Sequence, residues 1–423
     1  MKSIKIIGRH RMWAWFILLT ILICFLVALL SGSLQIKRNI RTNAPLDEFK
    51  AYMDERITAL MKQYGIPGCN IALVRDKEVV WTKGYGYADV ASGRALAVDT
   101  PMSVQSITKS VTAWGVMRLV EKGLIDLDTP VSEYLKSWQF PLTNYPTEKI
   151  TVRQLLEHTA GLPLGDFTNI YSPGQAMPSN RDVMTREAVP VYLYPSKASG
   201  GLFATAHEIA RFAAAGMQVN PVLSGDSIKL MYSPRCRKIG IYGLIFDAYG
   251  FGHYIEKLPN GMLSVSHGGQ GNGIMTHWQA VPETGDAIVL LTNSQRSWPF
   301  IAYVLSDWAQ WRGFPSVGMG RIIWGNYILC LVIGMLVAAS LLVILRLVSA
   351  FCQQNPMSFR LLRISAASIL LGTLFWCACQ QYLFITSVFP ILSVWLAGAA
   401  FAFSIVLLLS VVIPEWTGKK FKL

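Results

Sequence analysis

The sequence predicts an α+β domain, an antiparallel sheet built from N- and C-terminal strands with flanking helices, joined to four transmembrane α-helices. Two observations carry this prediction. The 423-residue chain is 52% apolar and only 15% charged, whereas soluble domains are about 45–50% apolar and about 25% charged, so part of the chain is expected to face lipid. Strand-like runs also lie at both ends of the middle region with helical runs between them, which is typical of α+β folds.

Four uncharged stretches are each long enough to cross a bilayer, which takes about 20 helical residues. They are residues 12–36, 322–345, 364–385 and 390–413. The first has the position of a signal peptide, but its apolar run is longer than the about 7–15 residues of such peptides, so we predict an uncleaved anchor. Pro390 divides the last long stretch into two spans because proline ends helices.

Positive charge flanks these stretches. The chain carries a net charge of +13, and the excess lies outside residues 42–318. Lysine and arginine concentrate in the cytoplasmic segments of membrane proteins, so 1–11, 346–363 and 414–423 are predicted to be cytoplasmic and the domain at 37–320 extracytoplasmic. We therefore expect a multi-pass protein of the cell membrane in contact with the lipid bilayer, and nucleic acid is excluded as a main partner.

The extracytoplasmic domain begins and ends with strand patterns. Residues 70–75 and 78–83 are β-rich runs joined by a short charged turn at Asp76-Lys77, which predicts an antiparallel hairpin. Further strands are predicted at 262–266 and 287–292. We expect the first and last strands to share one sheet.

Helices are predicted between and after these strands. Residues 106–122 carry apolar side chains at helical spacing. Thr129-Pro130 resembles a helix start with proline at the first helical position, and capping boxes open two more helices at Thr151 and Thr205. Residues 300–311 are predicted to form a last, amphipathic helix.

Cysteine and histidine spacing predicts no metal site, and we expect no cofactor. The chain has seven cysteines, and two of them, Cys69 and Cys236, fall in the extracytoplasmic domain, where one disulfide between them is left open. The six histidines are scattered, without the spacing of zinc ligands.

The first candidate for chemistry is Ser106, which Lys109 follows at helical spacing. At i and i+3 on a helix the two side chains lie on one face within reach of each other. Serine becomes nucleophilic when a base takes its proton. Lysine can act as that base if burial lowers its pKa from about 10.4 towards 7, and backbone N–H groups at the helix start would stabilise an oxyanion. Because Ser and Lys at this spacing also occur by chance, an exposed first turn is the alternative interpretation.

The second candidate is His267, which precedes Gly268, Gly269, Gly271 and Gly273. Glycines let a backbone approach a ligand closely, and an imidazole there would bind a substrate carboxylate or assist proton transfer. The alternative is a strand-end histidine beside a glycine-rich turn.

Two other features are interpreted as structural. His158 follows a predicted helix and precedes a turn. Gly200-Gly201 suits a tight turn before the helix that begins at Thr205.

Five motifs follow one another between residues 103 and 269, within a resemblance that covers about 50–315. They are SVQSITK at 103–109, LVEKGLIDLDTPV at 119–131, ITVRQLLEHTAGLP at 150–163, GGLFATA at 200–206 and HGG at 267–269. In this order they resemble the serine β-lactamase and penicillin-binding protein superfamily, in its class C-like branch related to D-alanyl-D-alanine carboxypeptidases. The resemblance implies the β-lactamase/transpeptidase-like fold.

The resemblance also implies roles for the candidate residues. In that superfamily the serine of S-x-x-K is acylated, its lysine assists proton transfer, and a Lys-Thr-Gly or His-x-Gly strand borders the site. The oxyanion hole would use the backbone N–H groups of Ser106 and Gln270. The implied catalytic residues are Ser106, Lys109 and His267, and the implied substrate-binding or oxyanion residues are Gly268, Gly269 and Gln270.

The chain departs from the superfamily at one element. The superfamily places Tyr-x-Asn between its His-Thr-x-Gly-Leu and Gly-Gly-Leu motifs, and that tyrosine helps activate the serine or protonate the leaving group. No Tyr-x-Asn occurs between Leu162 and Gly200, and the nearest strings, at 167–169 and 171–173, do not fit. We expect a block of the helical subdomain to be missing, which would weaken water exclusion and leaving-group protonation.

Two functions of different classes remain. The first is a membrane-anchored serine hydrolase that opens an amide or ester through an acyl-Ser106 intermediate. Its small-molecule or peptide substrate would be a cell-wall peptide, a β-lactam, or a D-amino-acid or simple ester. The second is a catalytically weak or inactive module that binds a cell-wall ligand or partner. The sequence has no G-x-S-x-G of an α/β-hydrolase, and the predicted spans lack the ionisable residues of a transporter.

Overall fold

The computed structural model describes residues 2–34, 40–137, 140, 146–162, 196–353, 359–380 and 383–417. The chain divides into two compact units. One contains the amino-terminal helix and the helices after residue 322, and the other contains the mixed domain up to Ile322.

The described residues contain twelve α-helices. They are α1 (Lys2–Leu30), α2 (Leu46–Tyr64), α3 (Thr108–Glu121), α4 (Val152–Leu156), α5 (Lys197–Gly200), α6 (Ala206–Ala215), α7 (Gly225–Met231), α8 (Trp298–Arg312), α9 (Arg321–Gln353), α10 (Arg360–Cys379), α11 (Phe384–Val388) and α12 (Leu392–Thr417). The mixed domain also contains short 3₁₀ turns, among them Gln105–Ile107 directly before α3.

Ten strands lie in the described residues of the mixed domain. They are β1 (Gly68–Arg75), β2 (Glu78–Asp89), β3 (Arg94–Ala95), β4 (Met102–Ser103), β5 (Phe203–Ala204), β6 (Ala248–Tyr249), β7 (Tyr254–Lys257), β8 (Leu263–Gly271), β9 (Ile274–Val281) and β10 (Asp286–Thr292). Eight of them form one antiparallel sheet in the order β3-β2-β1-β10-β9-β8-β7-β6, and β4 pairs with β5.

The sheet confirms the predicted α+β fold. Strand β1 pairs with β2 as the expected hairpin, and both turn residues have a positive φ, 52° at Asp76 and 67° at Lys77, as in the turns that match strand twist. The first and last strands share the sheet as predicted, with Ile71 opposite Leu290.

Helices cover both faces of the sheet. Alternate residues such as Ala72 and Val289 belong to a core shared with α3 and α6. Their neighbours Ile71 and Leu290, on the opposite face, are also fully buried. This two-sided burial explains why β10 is a continuous apolar run instead of an alternating one.

Local details correct two of the sequence predictions and add one strand. The capping boxes at Thr151 and Thr205 are both formed. No α-helix begins at Thr129-Pro130, because Pro130 precedes only the 3₁₀ turn Val131–Glu133 and makes no side-chain cap. Helix α8 is buried on nearly all sides instead of being amphipathic. Its one buried carboxylate, Asp307, is paired with Arg56 at 2.9 Å. Strand β9 was not anticipated.

In the described part of the chain, three helices are long and apolar enough to cross a membrane. They are Gly318–Ala350, Arg360–Cys379 and Leu392–Val411. The break expected near Pro390 is present, since the short helix α11 separates α10 from α12. Helix α1 ends at Leu30, before the predicted boundary at residue 36, and its described apolar part, Phe16–Leu30, is shorter than the other three.

Candidate active site

A strained turn presents Ser106 at the start of α3. Gln105, directly before it, has a positive φ of 52°, a conformation that is costly for a residue other than glycine. Two hydrogen bonds hold Gln105 there. Its side-chain Nε2 donates to Ser103 Oγ at 2.8 Å, and its carbonyl accepts from Thr108 Oγ1 at 2.6 Å. Ser106 itself stays partly exposed.

Lys109 lies against this hydroxyl, as the sequence predicts. Its Nζ donates to Ser106 Oγ at 2.8 Å and to the carbonyl oxygen of Ser199 at 2.8 Å. Burial lowers the pKa of Lys109 from 10.5 to about 8, because a poorly solvated site disfavours the ammonium form. At pH 7 such an amine is neutral in about one molecule in ten, whereas an ordinary lysine is almost never neutral.

Strand β8 closes the other side of the site. Strand β7 pairs only with Leu263–Ser266, so in the described chain no strand pairs with that edge of β8 from His267 onwards. The turn that carries Ser106 lies against this unpaired part of the edge. Thr276 Oγ1 donates to the Val104 carbonyl at 2.9 Å, and Gly269 lies directly against Val104 and Gln105. The structure therefore brings Gly268, Gly269 and Gln270 to the same site as Ser106.

Glycine at 269 is required by this close approach. A Cβ on Gly269 would overlap the Val104 carbonyl oxygen and Thr276 Oγ1 and would come within 2.8 Å of Gln105 Cβ. On adjacent Gly268 the nearest atoms would be 3.3 and 3.4 Å away.

We therefore expect Gly269→Ala to displace the Ser106 turn. Overpacking of this kind costs about 1–3 kcal/mol, and a shift of about 1 Å in a reacting group costs about 10²-fold in rate. The melting temperature of the full chain in detergent and its rate of covalent labelling by a fluorophosphonate measure the two effects. Gly268→Ala is the matched control for stability and should melt close to wild type. Equal melting temperatures for the two variants would contradict the close packing.

His267 is built into the wall of the site. It is 3% exposed, and both ring nitrogens have partners: Nδ1 lies 2.7 Å from the Gly268 carbonyl oxygen and Nε2 lies 3.0 Å from Tyr249 Oη. Burial, and next the charge of Lys109, hold the pKa of His267 well below its usual value. The neutral ring then donates from Nδ1 and accepts at Nε2 from the Tyr249 hydroxyl. In this arrangement the imidazole orients the strand and leaves no nitrogen for a substrate.

Tyr249→Phe tests this assignment. The substitution removes the hydroxyl and leaves a buried ring nitrogen without a partner, which costs about 1–3 kcal/mol and should lower the melting temperature by about 2–6 °C. Tyr254→Phe is the matched control, because Tyr254 also contacts the His267 ring but has no hydrogen bond from its hydroxyl within the described residues. If both variants melt alike, the Tyr249–His267 bond is not structural.

His158, which the sequence predicts to be structural, lies beside Tyr249 next to the site. Its ring stacks on Tyr249 with centroids 4.6 Å apart, and its backbone adopts a positive φ of 58°. His158 is exposed; partial desolvation by its neighbours, and next the charge of Lys109, lower the pKa of its ring below the usual value, so the ring is neutral near pH 7. The only sequence signal for its position was membership of the 150–163 motif.

Two further sequence expectations have different outcomes. The segment that lacks Tyr-x-Asn lies mainly in residues 163–195, outside the described residues. Cys69 and Cys236, for which a disulfide was left open, are both free thiols.

Comparison with known proteins agrees with this geometry. The family model of beta-lactamase matches residues 53–182 and 167–303, which together span more than half of the chain. The chain belongs to the beta-lactamase family. The two matched pieces overlap at 167–182, within the stretch in which no Tyr-x-Asn occurs.

Relatives of this beta-lactamase family member match it over limited stretches. The mitochondrial serine beta-lactamase-like protein LACTB of Bos taurus is 37% identical over 102 residues, 24% of this chain and 18% of that protein. Esterase EstB of Burkholderia gladioli is 30% identical over 112 residues, 26% of this chain and 29% of EstB. The matches therefore span less than a third of the length of each relative.

A solved structure supports the fold. The penicillin-binding protein homologue from Pyrococcus abyssi superposes with a TM-score of 0.53 at 20% identity, over 68% of this chain and 81% of its own. At this identity the likeness concerns the fold alone. It confirms the fold class that the five motifs implied, and the family match confirms the superfamily.

Proposed function

We propose that this chain is a membrane-anchored serine hydrolase that cleaves an amide or ester through an acyl-Ser106 intermediate. The observation that carries the proposal is the 2.8 Å contact between Lys109 Nζ and Ser106 Oγ, combined with the burial that lowers the pKa of Lys109 to about 8. A nucleophile paired with a base of nearly neutral pKa is the minimum requirement for this chemistry.

The residues supply each step of the proposed reaction. Neutral Lys109 takes the hydroxyl proton of Ser106 while Oγ bonds to the carbonyl carbon of the substrate. The backbone N–H groups of Ser106 and Gln270 would hold the oxyanion. When the tetrahedral intermediate collapses, the Lys109 ammonium returns its proton to the leaving oxygen or nitrogen. Water then attacks the acyl ester with Lys109 again as base, and Ser106 is released with its proton.

The family and the site support a proposed substrate class. A carbonyl compound that enters beside β8 would be a cell-wall peptide, a β-lactam, or a D-amino-acid or simple ester. A catalytically weak module that binds a cell-wall ligand or partner is the second candidate. Two observations favour it: the absent Tyr-x-Asn, and the engagement of both His267 nitrogens within the wall of the site.

We also propose that the mixed domain is extracytoplasmic and that both termini are cytoplasmic. The three helices of membrane-spanning length and the lysine and arginine residues beside them support this orientation.

Covalent labelling of the purified full chain tests the proposed chemistry. A fluorophosphonate and a fluorescent penicillin are each expected to add one molecule per chain at Ser106, located by mass spectrometry. Ser106→Ala should abolish the label, and Ser92→Ala, which changes an exposed serine in a turn, should keep it. Labelling by the fluorophosphonate alone would indicate an esterase. A folded chain that neither reagent labels would leave the binding module.

A further inference from the structure

The segment 235–244 combines exposed cations with exposed aliphatic side chains. Arg235, Arg237 and Lys238 are exposed, and a 3₁₀ turn follows them. At this turn Ile241 is 53% exposed and Leu244 is 69% exposed. Bulky aliphatic side chains next to basic ones are typical of segments that lie in a membrane interface.

Buried residues directly follow the tip of this segment, which we define as residues 241–244. Ile245 and Phe246, which follow it directly, are 7% and 2% exposed. The ring of Phe246 stacks on Tyr254 with centroids 4.2 Å apart. Because Ile245 and Phe246 are packed directly after the tip, they fix the position of its exposed aliphatic side chains.

The tip is hydrogen-bonded to Arg321, the first residue of α9. Arg321 Nη1 donates to the Leu244 carbonyl at 3.2 Å and to the Ile245 carbonyl at 3.4 Å. The stretch that begins at Gly318 is long and apolar enough to cross a membrane. A turn bonded to the start of such a helix would lie at the level of the bilayer surface.

The charges of the segment fit an anionic surface. Among the described residues, Arg237 and Lys238 form no ion pair, whereas Arg235 lies 4.0 Å from Glu157. Basic residues close to a membrane surface are attracted to anionic headgroups. The two cations therefore face outwards beside the aliphatic tip.

We propose that the interfacial segment, residues 235–244, inserts Ile241 and Leu244 into the headgroup boundary of the membrane that holds α9, with Arg237 and Lys238 against anionic headgroups. The inference rests on the membrane anchoring proposed above. It has a consequence for the site, because Cys236 pairs with Tyr249 through backbone hydrogen bonds of 2.9 and 2.7 Å. One wall of the site is thereby attached to a segment held at the bilayer surface.

Site-specific fluorescence tests the insertion in the full chain. Ile241→Cys and, as the matched control, Val219→Cys, a fully exposed position elsewhere on the domain, are labelled with a nitrobenzoxadiazole maleimide. The background of the native cysteines is subtracted with labelled wild type. The proteins are reconstituted into vesicles of phosphatidylcholine and phosphatidylglycerol, with and without a lipid that carries a shallow doxyl quencher.

We expect about twofold quenching and a blue-shifted emission at position 241, as for a probe in the interface, and water-like emission at 219. Changing Arg237 and Lys238 to glutamate should reduce the quenching at 241, and unchanged quenching would overturn the assigned contact with anionic headgroups. Flotation of wild type with the vesicles separates the two ideas. A chain that floats while 241 behaves like 219 overturns the insertion alone, and a chain that does not float overturns both the anchoring and the insertion.

Discussion

Ser106→Ala should reduce hydrolysis of any ester or amide that the wild-type chain turns over by about 10⁵-fold or more, as for other serine nucleophiles. The reason is chemical, because no other described hydroxyl lies within hydrogen-bonding distance of Lys109 Nζ. The fold should survive, since Ser106 is only half-buried and the amine keeps its bond to the Ser199 carbonyl.

Hydrolysis of p-nitrophenyl acetate by the full chain in detergent measures this loss, and the melting temperature reports the fold. Ser92→Ala controls for the loss of a serine far from the site and should keep wild-type activity. If Ser106→Ala retains a tenth of the wild-type rate or more, Ser106 is not the nucleophile.

Lys109→Met should lower the rate by about 10³-fold, within the range for the loss of a general base. Methionine fills a similar volume without a nitrogen, so the Ser106 hydroxyl loses its proton acceptor. Lys109→Arg distinguishes the base from the charge, because arginine keeps a cation that does not deprotonate at these pH values. Both variants are expected to show a similar loss in the same hydrolysis assay, and a Lys109→Arg variant with wild-type activity would show that the positive charge is sufficient.

Lys109→Met should lower activity without lowering the stability of the fold. The pKa of Lys109 is lower in the folded chain than in the unfolded chain, so between about 8 and about 10.4 the unfolded state binds more protons, and stability rises with pH in this window. Below about 8 the folded chain carries the full cost of a buried ammonium. Lys109→Met removes that cost, and we expect its melting temperature at pH 7 to equal or exceed that of wild type.

The sequence allowed the contact between Lys109 and Ser106 to be predicted because the two residues are local. Ser106 and Lys109 are three residues apart on one helical face, so helix geometry alone places the amine near the hydroxyl. The shared sheet was likewise predictable, since β-rich runs at both ends of a domain have few other places to pair. The buried environment that lowers the pKa of Lys109 depends on the distant segment at Ser199, which no spacing reveals.

The environment of His267 could not be predicted in the same way. Its partner Tyr249 lies on β6, eighteen residues earlier, and β7 separates the two strands in the sheet. His158 joins them from the end of a short helix whose path depends on tertiary packing. A glycine-rich run after a histidine indicates a close backbone approach, but not whether the ring points to a ligand or into the wall.

The rate of covalent labelling as a function of pH tests the central claim most directly, namely that Lys109 is the base for Ser106. The rate constant for a fluorophosphonate, measured on the full chain between pH 5 and 11, should rise tenfold per pH unit and level off with a midpoint of about 8, the pKa of the buried amine. A rate that is flat across this range, or that still climbs above pH 10 as for an ordinary lysine, would contradict the account.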